Sequence, residues 1–452
     1  MAPEAVTAAT AQEVPARLRR RLVLCLDGTW NSADGEQITN IVRLRDIVQP
    51  GEVPFDGGGV IEQHIYYDEG VGTGGLLQKL VDGATGRGLS RNVRQAYRYL
   101  SANYQDGDQI VIFGFSRGAF TARSLAGYIG ASGLLRPEHC DQTNERRAWD
   151  HYRTPPKERF PQEQRLLAGL CFPPVRIAVL GVFDTVGALG IPGVFRGMSA
   201  RRFRFHDATL GQNVEIALHA LAADEKRHSF GPALWQLPQH KAYGVVEQVW
   251  FPGVHSDIGG GCAEDGIGRL VLDWMLKRIQ TLGEEKQIKV VLRRDAEHIR
   301  TSTACDQRAP IHESRTPLFF RDKLQPSLRV IAQQRPATTR WERMNSLPRH
   351  ARPIGEYLHI TVLMRLFDKA GRPIAANAYA PLEALTRGDS APIGFVDLSG
   401  QPFAWGRNTD TSRGDRVSFY GHLPAQMHPA LDAFLAKRWA SGMVEPDPQS
   451  PF

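Results

Sequence analysis

Residues 109–129 read QIVIFGFSRGAFTARSLAGYI. The run Gln109–Phe113 is a short continuous apolar stretch, which is typical of a fully buried strand. The residues from 117 to about 129 have the character of a helix, and Ser116 stands at the centre of a G-x-S-x-G pattern between the two. In that motif the serine occupies a strained turn that exposes its hydroxyl above the sheet. The stretch therefore predicts a strand, a sharp turn that carries a nucleophile, and a helix.

The two glycines of the motif, Gly114 and Gly118, have a steric role. A side chain at either position would crowd the neighbouring strand or helix where the backbone bends. The pentapeptide alone is common, so the prediction of an activated Ser116 depends on the strand before it and the helix after it. The alternative is a tight strand-to-helix turn with an unreactive serine.

The rest of the chain repeats the pattern of buried strands separated by helical stretches. Strand candidates are Arg21–Leu26, Ile61–Tyr67, Arg176–Phe183 and Val245–Phe251, and helical candidates lie at 93–104, Val214–Ala223 and Leu270–Ile279. Such alternation is typical of a mostly parallel sheet flanked by helices. We therefore predict an α/β fold of the α/β-hydrolase type, with reactive groups at the carboxyl ends of the strands.

The composition and the pattern of the sequence divide the chain into four regions. Residues 1–18 are a leader rich in Ala, Thr and Glu that we expect to be disordered, and residues 19–300 form the catalytic core. Beyond residue 300 the sequence becomes irregular and rich in Pro and Arg, with strand candidates at Tyr357–Met364 and Arg416–Tyr420 and a helix near 429–439. We predict that residues 301–445 are an elaboration packed on the core, with a small second domain as the alternative, and that 446–452 are a tail.

Two later strand ends provide partners for Ser116. Asp184 follows the strand candidate that ends at Phe183, and His255 follows the one that ends at Phe251. The order Ser, Asp, His along the chain is that of α/β-hydrolases. A serine hydroxyl needs an imidazole to take its proton, and a carboxylate fixes the tautomer of that imidazole and stabilises its charged form. We predict these three residues as a catalytic triad.

Other histidines and acids compete for these roles. The rival histidines are His219, His228, His359 and His422. His219 lies in a predicted helix, which favours a packed or surface role. Asp224 and Asp257 compete for the role of the acid, and Asp257, two residues after His255, is also suited to brace that loop. The choice between Asp184 and Asp257 stays open at this point, and chain order favours Asp184.

An acyl-transfer site also needs two backbone N–H donors for the oxyanion. The amide of Arg117, the residue after the nucleophile, is one candidate, and Gly28 or Thr29 at the end of the first strand supplies the other. We expect Asp27 to hold that loop through side-chain bonds to backbone amides. The alternative is that Asp27-Gly28 is only a turn signal.

The segment around Asp27 also resembles the first motif of haloacid-dehalogenase phosphatases, D-x-D-G-T, in which the first aspartate is the covalent nucleophile. Cys25 stands in that position here. Because loss of the nucleophile removes that reaction, we set this alternative aside.

Composition excludes several other classes of protein. The chain has 452 residues, a formal net charge of +7 and 42% hydrophobic residues, which is ordinary for a globular protein. Its five scattered cysteines form neither a disulfide framework nor a CxxC site, and we expect no metal and no cofactor. The sequence has no zinc-finger spacing and no recognition-helix signature, so we expect no binding to nucleic acid.

Five segments carry a resemblance to a known family. They are Leu26–Asn31, Tyr67–Thr73, Gly114–Ala119, Phe183–Gly187 and Gly253–Gly261, in this order along the chain. With them the sequence resembles a family of α/β-hydrolases, long catalogued as a domain of unknown function, that contains the phospholipase effectors of bacterial type VI secretion. A further segment at Ile311–Ser314 is similar to that family as well.

The resemblance implies an α/β-hydrolase core that cleaves acyl esters of glycerophospholipids or other lipids through Ser116, Asp184 and His255. It raises a secretion or immunity partner as a hypothesis. The alternatives are a small-ester or peptide hydrolase and a non-catalytic, hydrolase-like binding protein. The N-terminal sequence lacks the apolar core of a signal peptide, so we expect a cytoplasmic bacterial protein whose export would use a route independent of such a signal.

Two loops rich in basic and aromatic residues are candidates for transient contact with a membrane surface. Residues 192–205 mix Arg with Phe, and residues 335–352 carry five arginines together with Trp341, Met344 and Leu347. Such loops suit a lid that faces anionic headgroups. The alternative is a solvated basic loop anchored by a few apolar residues, because single apolar groups are normal on protein surfaces.

Overall fold

The computed structural model describes residues 19–28, 38–55, 59–70, 86–186, 210–227, 230–235, 244–296, 309–314, 329, 331, 354–365 and 394–403. Several predicted features lie outside these residues. They are the leader 1–18, Thr29, His228, His422, the basic loops 192–205 and 335–352, the strand and helix candidates at 416–420 and 429–439, and the tail 446–452.

Ten strands of the described ranges form one sheet. They are β1 (Arg19–Leu26), β2 (Gly51–Pro54), β3 (Val60–Asp68), β4 (Gln109–Phe115), β5 (Ile177–Phe183), β6 (Val214–Ala222), β7 (Val245–Phe251), β8 (Glu356–His359), β9 (Gly394–Val396) and β10 (Pro402–Phe403). Their order across the sheet is β10-β9-β8-β7-β6-β5-β4-β1-β3-β2. The edge pairs β2–β3 and β9–β10 are antiparallel, and the other neighbours are parallel. The predicted mostly parallel sheet is confirmed.

Helices cover both faces of this sheet. They are α1 (Asn40–Ile47), α2 (Gly86–Asn103), α3 (Arg117–Ser132), α4 (Gln142–Arg153), α5 (Pro161–Leu170), α6 (His255–Gly259), α7 (Gly266–Gly283) and α8 (Ile360–Met364), with 3₁₀ turns at Pro137–His139, Pro156–Glu158 and Arg294–Ala296. On one face, Leu22 and Leu24 of β1 pack with α2, α3 and α4, and on the other face Val23 and Cys25 pack with α1 and α7. Burial on both faces explains why the central strands are continuous apolar runs. Among the helices of the described ranges, none is long and apolar enough to cross a bilayer.

The predicted helix at Val214–Ala223 is wrong. These residues form β6, between β5 and β7 in the sheet, and every residue of the strand except Glu215 is buried. A short apolar run that is buried on both faces does not alternate between apolar and polar residues. Its periodicity therefore does not separate a strand from a buried helix.

The predicted strand at Tyr357–Met364 is only half right. The chain forms β8 up to His359 and then turns into α8. The His359 side chain accepts a hydrogen bond from the Thr361 N–H at 3.4 Å and so caps the new helix. Because β8 pairs with β7, this part of the chain beyond residue 300 continues the core sheet.

The carboxyl ends of the central strands meet at one edge of the sheet. The last paired residues are Leu26 with Gly114, Phe115 with Phe183, Phe183 with Ala220, and Ala222 with Phe251. The residues that follow these ends include Ser116, Asp184 and His255. The topology therefore gathers the predicted site residues in one place, as the rule for parallel sheets anticipates.

Candidate active site

The turn between β4 and α3 holds Ser116 in a strained conformation. Its φ angle is 56° and its ψ angle is −116°, a region that residues with a side chain rarely adopt. The Ser116 N–H donates to the Phe183 carbonyl at 3.1 Å, which fixes the turn to the end of β5. Strain of this kind persists only where the surrounding structure enforces it, and it is concentrated at functional sites.

The two glycines of the turn, Gly114 and Gly118, are needed because neighbouring backbone atoms lie where a Cβ would be. A Cβ on Gly118 would lie 2.1 Å from the Leu26 carbonyl oxygen and 2.5 Å from that of Asp27. A Cβ on Gly114 would lie 2.6 Å from the Gly118 carbonyl oxygen. The start of α3 therefore rests directly on the end of β1, where a side chain at Gly118 would not fit, and a side chain at Gly114 would push the first turn of α3 away from β4.

Asp184 follows β5 and is fixed by the neighbouring strand. It is fully buried, and its φ angle is also positive, at 39°. Its N–H donates to the Ala220 carbonyl at 2.7 Å, and its Oδ1 accepts the Ala222 N–H at 2.9 Å. Both bonds join the aspartate to the end of β6, so its carboxylate has a defined direction.

His255, the first residue of α6, links the other two side chains. Its Nε2 lies 2.8 Å from Ser116 Oγ, and its Nδ1 lies 2.6 Å from Asp184 Oδ2. The imidazole ring also lies against the rings of Phe115 and Phe230, with centroids 4.7 Å and 4.9 Å away. The structure thus brings Ser116, His255 and Asp184 into one hydrogen-bonded chain.

Burial and charge set the protonation states in this chain. Burial would raise the pKa of Asp184, but the Arg329 guanidinium and His255 outweigh it and hold that pKa well below its usual range. Burial lowers the pKa of His255, against the opposing effect of Asp184. Near neutral pH the carboxylate is therefore charged and the imidazole neutral. These are the states that removal of a proton from Ser116 requires.

The segment after β6 holds the loop that carries His255. Asp224 Oδ2 accepts the Gly253 N–H at 2.7 Å, and Glu225 Oε2 accepts the His255 N–H at 3.2 Å. The Ser314 hydroxyl in turn donates to Glu225 Oε1 at 2.9 Å. Asp224, one of the rival acids, thus bonds the backbone of the loop.

Asp257, the other rival acid, braces the same loop from within. Its Oδ2 accepts the N–H groups of Val254 at 2.8 Å and His312 at 3.2 Å. Its Oδ1 lies 2.5 Å from His312 Nδ1. The Asp257 carboxylate is therefore engaged with its own loop and with His312, whereas Asp184 bonds the His255 ring.

Asp257, Cys262 and His312 also place one potential metal-ligand atom each within 4.8 Å of one another. Two ligand atoms of a tetrahedral zinc ion lie about 3.3 Å apart. The imidazole nitrogen and the carboxylate oxygen are at 2.5 Å, the separation of a hydrogen bond. Burial raises the pKa of Cys262 to about 11. The contact between Asp257 and His312 therefore has the geometry of a hydrogen bond.

Gly28, one of the two candidate oxyanion donors at the end of β1, has its amide engaged by a neighbouring side chain. The Gly28 N–H donates to Asp27 Oδ1 at 2.7 Å, so its proton is directed to that carboxylate. Asp27 Oδ2 accepts the hydroxyls of Thr39 at 2.7 Å and Tyr67 at 3.2 Å. Asp27 therefore holds the loop, the Gly28 amide is already used, and Thr29 lies outside the described residues.

Residues considered as rivals have other roles. Burial lowers the pKa of both His219 and His359 to about 3. His219 Nε2 accepts the Thr185 N–H at 3.1 Å and so supports the residue after Asp184. Cys25 is buried in β1, and burial raises its pKa, which keeps the sulfur in its unreactive thiol form.

Sequence reasoning missed two groups that contact the site. Arg329 bonds both oxygens of Asp184, and Glu225 bonds the backbone of His255. Glu225 follows β6, which the sequence predicts as a helix, and Arg329 lies in an irregular stretch without a motif. Neither residue therefore has a sequence pattern that indicates a place in the site. Ile311–Ser314, noted for its resemblance, supplies His312 and Ser314 to the loop contacts described above.

Comparison with known proteins gives a family match. The phospholipase effector Tle1-like catalytic domain of the type VI secretion system (T6SS) matches residues 20–278, more than half of the 452 residues. An uncharacterized protein of Saccharomyces cerevisiae, YEL023C, is 30% identical over an alignment of 235 residues that covers 47% of this chain and 32% of that protein. The chain therefore spans about one third of the length of this curated relative.

Two solved structures are similar to the chain at 19% sequence identity. One is an uncharacterized protein from Pseudomonas aeruginosa, with a TM-score of 0.33 and coverage of 64% of this chain and 48% of that one. The other is a Tle1 effector bound to the VgrG spike of the type VI secretion system, with a TM-score of 0.31 and coverage of 57% of this chain and 56% of that one.

The family match spans Ser116, Asp184 and His255 and all five segments of the resemblance. It confirms the family that the sequence indicated. The chain belongs to the Tle1-like catalytic domain family of T6SS phospholipase effectors.

Proposed function

We propose that the protein is a serine hydrolase that cleaves acyl ester bonds of phospholipids. The observation that carries this proposal is the chain from Ser116 Oγ through His255 to Asp184, with separations of 2.8 Å and 2.6 Å. Membership of a phospholipase effector family supports a lipid ester as the substrate class.

In the proposed first step, His255 Nε2 takes the Ser116 proton while Oγ attacks the ester carbonyl carbon. Asp184 stabilises the imidazolium that forms and stays ionised itself. The carbonyl oxygen becomes an oxyanion, and the Arg117 amide at the start of α3 is the first proposed donor to it. Because the Gly28 amide is bonded to Asp27, we assign the second donor to Thr29.

In the second step, the tetrahedral intermediate collapses and the ester C–O bond breaks. His255 gives its proton to the departing alcohol oxygen, which leaves as a lysophospholipid, and the acyl group stays on Ser116. Water then attacks the acyl-enzyme with His255 again as the base, and a fatty acid is released. The net reaction is hydrolysis of one ester and needs no cofactor.

Covalent labelling by a fluorophosphonate tests for an activated serine. We expect the intact wild type to gain the mass of one phosphonyl group, Ser116→Ala to gain none, and His255→Ala to react at least about 10³-fold more slowly. Ser124→Ala removes another buried serine hydroxyl of α3, about two helical turns after Ser116, and serves as the matched control with wild-type labelling. Absence of labelling in folded wild type would favour the non-catalytic binding protein.

A series of substrates separates a phospholipase from a small-ester hydrolase. Release of fatty acid from phospholipid vesicles is compared with hydrolysis of nitrophenyl esters of increasing chain length. We expect activity to rise with acyl length and to be retained on vesicles. A strong preference for short soluble esters would contradict the lipid substrate and leave the serine mechanism intact.

Partners and location are part of the same proposal. The family is described as effectors of type VI secretion, which supports delivery of the protein from the cytoplasm by a secretion apparatus. Because the proposed substrate is a phospholipid, we also propose transient contact of the protein with a membrane surface.

A further inference from the structure

Arg329 lies against the carboxylate of the proposed triad. Its Nη1 donates to Asp184 Oδ1 at 2.5 Å, and its Nη2 donates to Asp184 Oδ2 at 2.9 Å. The same two nitrogens donate to the carbonyls of Ala222 and Phe230, both at 2.7 Å. Only 5% of Arg329 is exposed, so the two residues form a buried ion pair with two parallel hydrogen bonds.

This arginine comes from outside the matched family domain. The family match ends at residue 278, and Arg329 belongs to the irregular region that follows. Its bonds to the carbonyls of Ala222, the last residue of β6, and of Phe230 place it within the core, next to the end of the central sheet. The charge on Asp184 therefore depends on a residue beyond the domain that defines the family.

We propose that Arg329 is a positioning residue of the hydrolase, which fixes the Asp184 carboxylate and sets the pH range in which His255 can accept the serine proton. This inference rests on the function proposed above. It assigns to the region after residue 278 a direct part in the electrostatics of the site.

The other charged and titratable groups around the His255–Asp184 pair come from several elements. They are His219 on β6, Asp224, Glu225 and Arg227 after β6, Asp257 on α6, and Arg123 on α3, which lies near His219. Glu225 and Arg227 form an ion pair with a separation of 2.9 Å, and Asp224 and Asp257 accept backbone N–H groups. Of the cations in the described part of this site, Arg329 is the one that bonds the Asp184 carboxylate directly.

Loss of the guanidinium charge favours binding of a proton by the pair. The buried Asp184 carboxylate would lose the cation that keeps it ionised, and a charged His255 would lose a cation that repels it. Both effects raise the pH at which the pair takes up a proton, whichever of the two groups holds it. Because a protonated pair cannot accept the Ser116 proton, Arg329 extends the active range toward lower pH.

Charge variants of Arg329 separate this role from simple packing. Arg329→Met removes the positive charge, and Arg329→Lys keeps the charge but cannot make the two parallel hydrogen bonds. If Arg329→Met does not fold, Arg329→Gln is the second variant without the charge. Arg278→Met is the matched control, because Arg278 is 3% exposed and pairs with Glu247 through Nε–Oε2 at 2.9 Å and Nη2–Oε1 at 2.5 Å. That pair lies toward the opposite end of β7 from His255.

The first readout is the rate of fluorophosphonate labelling of the full chain against pH. We expect the acid limb of Arg329→Met to move to higher pH by about one unit or more. In Arg329→Lys the pH midpoint of the acid limb should stay near that of wild type, and the maximum labelling rate should be lower. Arg278→Met should lower the melting temperature and leave the midpoint where it is. An unchanged midpoint in Arg329→Met would overturn the inference.

The second readout is the titration of the His255 ring followed by nitrogen NMR, with the signal assigned by its loss in His255→Gln. It needs no hydrolysis. If wild type neither reacts with the probe nor cleaves esters, the proposed function fails, and this titration alone decides the inference. A His255 that titrates at the same pH in wild type, Arg329→Met and Arg278→Met would reject the role of Arg329.

Discussion

Asp184 and Asp257 both lie close to the loop that carries His255, yet their hydrogen bonds differ. Asp184 bonds the imidazole Nδ1 at 2.6 Å and is held by Arg329 and the Ala222 amide. Asp257 bonds the amide of Val254 and His312 instead. A carboxylate that contacts the ring controls its tautomer, whereas one that contacts the backbone controls the shape of the loop.

Replacement of each acid by its amide tests this difference. We expect Asp184→Asn to lower kcat/KM for ester hydrolysis by about 10⁴, because the amide NH2 can donate to His255 Nδ1 and leave the ring proton on Nε2, and the neutral amide does not stabilise the imidazolium. Asp257→Asn should lower kcat/KM by less than about tenfold and the free energy of unfolding by about 1–3 kcal/mol. Steady-state kinetics and urea titration measure both. An equal loss of activity in the two variants would contradict the assignment.

At the scale of elements, the contact between α3 and the end of β1 decides whether the nucleophile turn can form. A Cβ on Gly118 would lie 2.1 Å from the Leu26 carbonyl oxygen, and that atom belongs to the sheet and cannot move freely. We expect Gly118→Ala to lower the free energy of unfolding by about 3 kcal/mol or more, as overpacking against backbone does.

The control for this prediction is Gly169→Ala in α5, where a Cβ would meet nothing within 4 Å. It should be neutral or stabilise by up to about 1 kcal/mol, because alanine is the better helix former. Ser116→Ala trims only a hydroxyl and should change stability by less than about 1 kcal/mol. Thermal and urea unfolding of the three variants check the order. A Gly118→Ala protein as stable as wild type would show that the turn can relax.

The central elements could be predicted because each combines an apolar run with a clear stop. The strand that ends before Ser116 and the one that ends before Asp184 are bounded by glycine or by a polar residue. β6 could not be predicted, because its apolar residues face both sides of the sheet and fit a helix equally well. The end of β8 at His359 depends on a side-chain cap, which periodicity does not reveal.

Some residues of the candidate site could likewise be predicted from the sequence, and others could not. Ser116, Asp184 and His255 follow predictable strand ends in a known chain order, so their approach could be anticipated. The buried Arg329 could not, because it is brought to Asp184 by tertiary packing of a segment that has no periodic pattern. The hydrogen bond from the Gly28 amide to Asp27 could not be predicted either, because it depends on the side-chain conformation of Asp27.

At the scale of the whole molecule, the sheet places neutral histidines in its interior. His219 lies on β6 with Gln248 Oε1 3.3 Å from its Nδ1, and His359 ends β8 with its ring stacked on Phe251 at 4.5 Å. Burial lowers the pKa of each to about 3. In the unfolded chain both take up a proton near pH 6.5. The unfolded state therefore binds more protons than the folded state between about pH 3 and 6.5.

Stability should consequently fall as the pH falls through 6.5. Each buried histidine contributes a slope of at most about 1.4 kcal/mol per pH unit in this range, and its contribution is complete above about pH 7. We expect the free energy of unfolding from urea titration to be about 2–4 kcal/mol lower at pH 5.0 than at pH 7.5. In His359→Asn, which keeps an acceptor to cap α8 and cannot titrate, the loss should be about 1–2 kcal/mol smaller. If the variant lost as much stability as wild type over the same interval, His359 would have to be protonated in the folded protein, and its burial at the end of β8 would not explain the acid sensitivity.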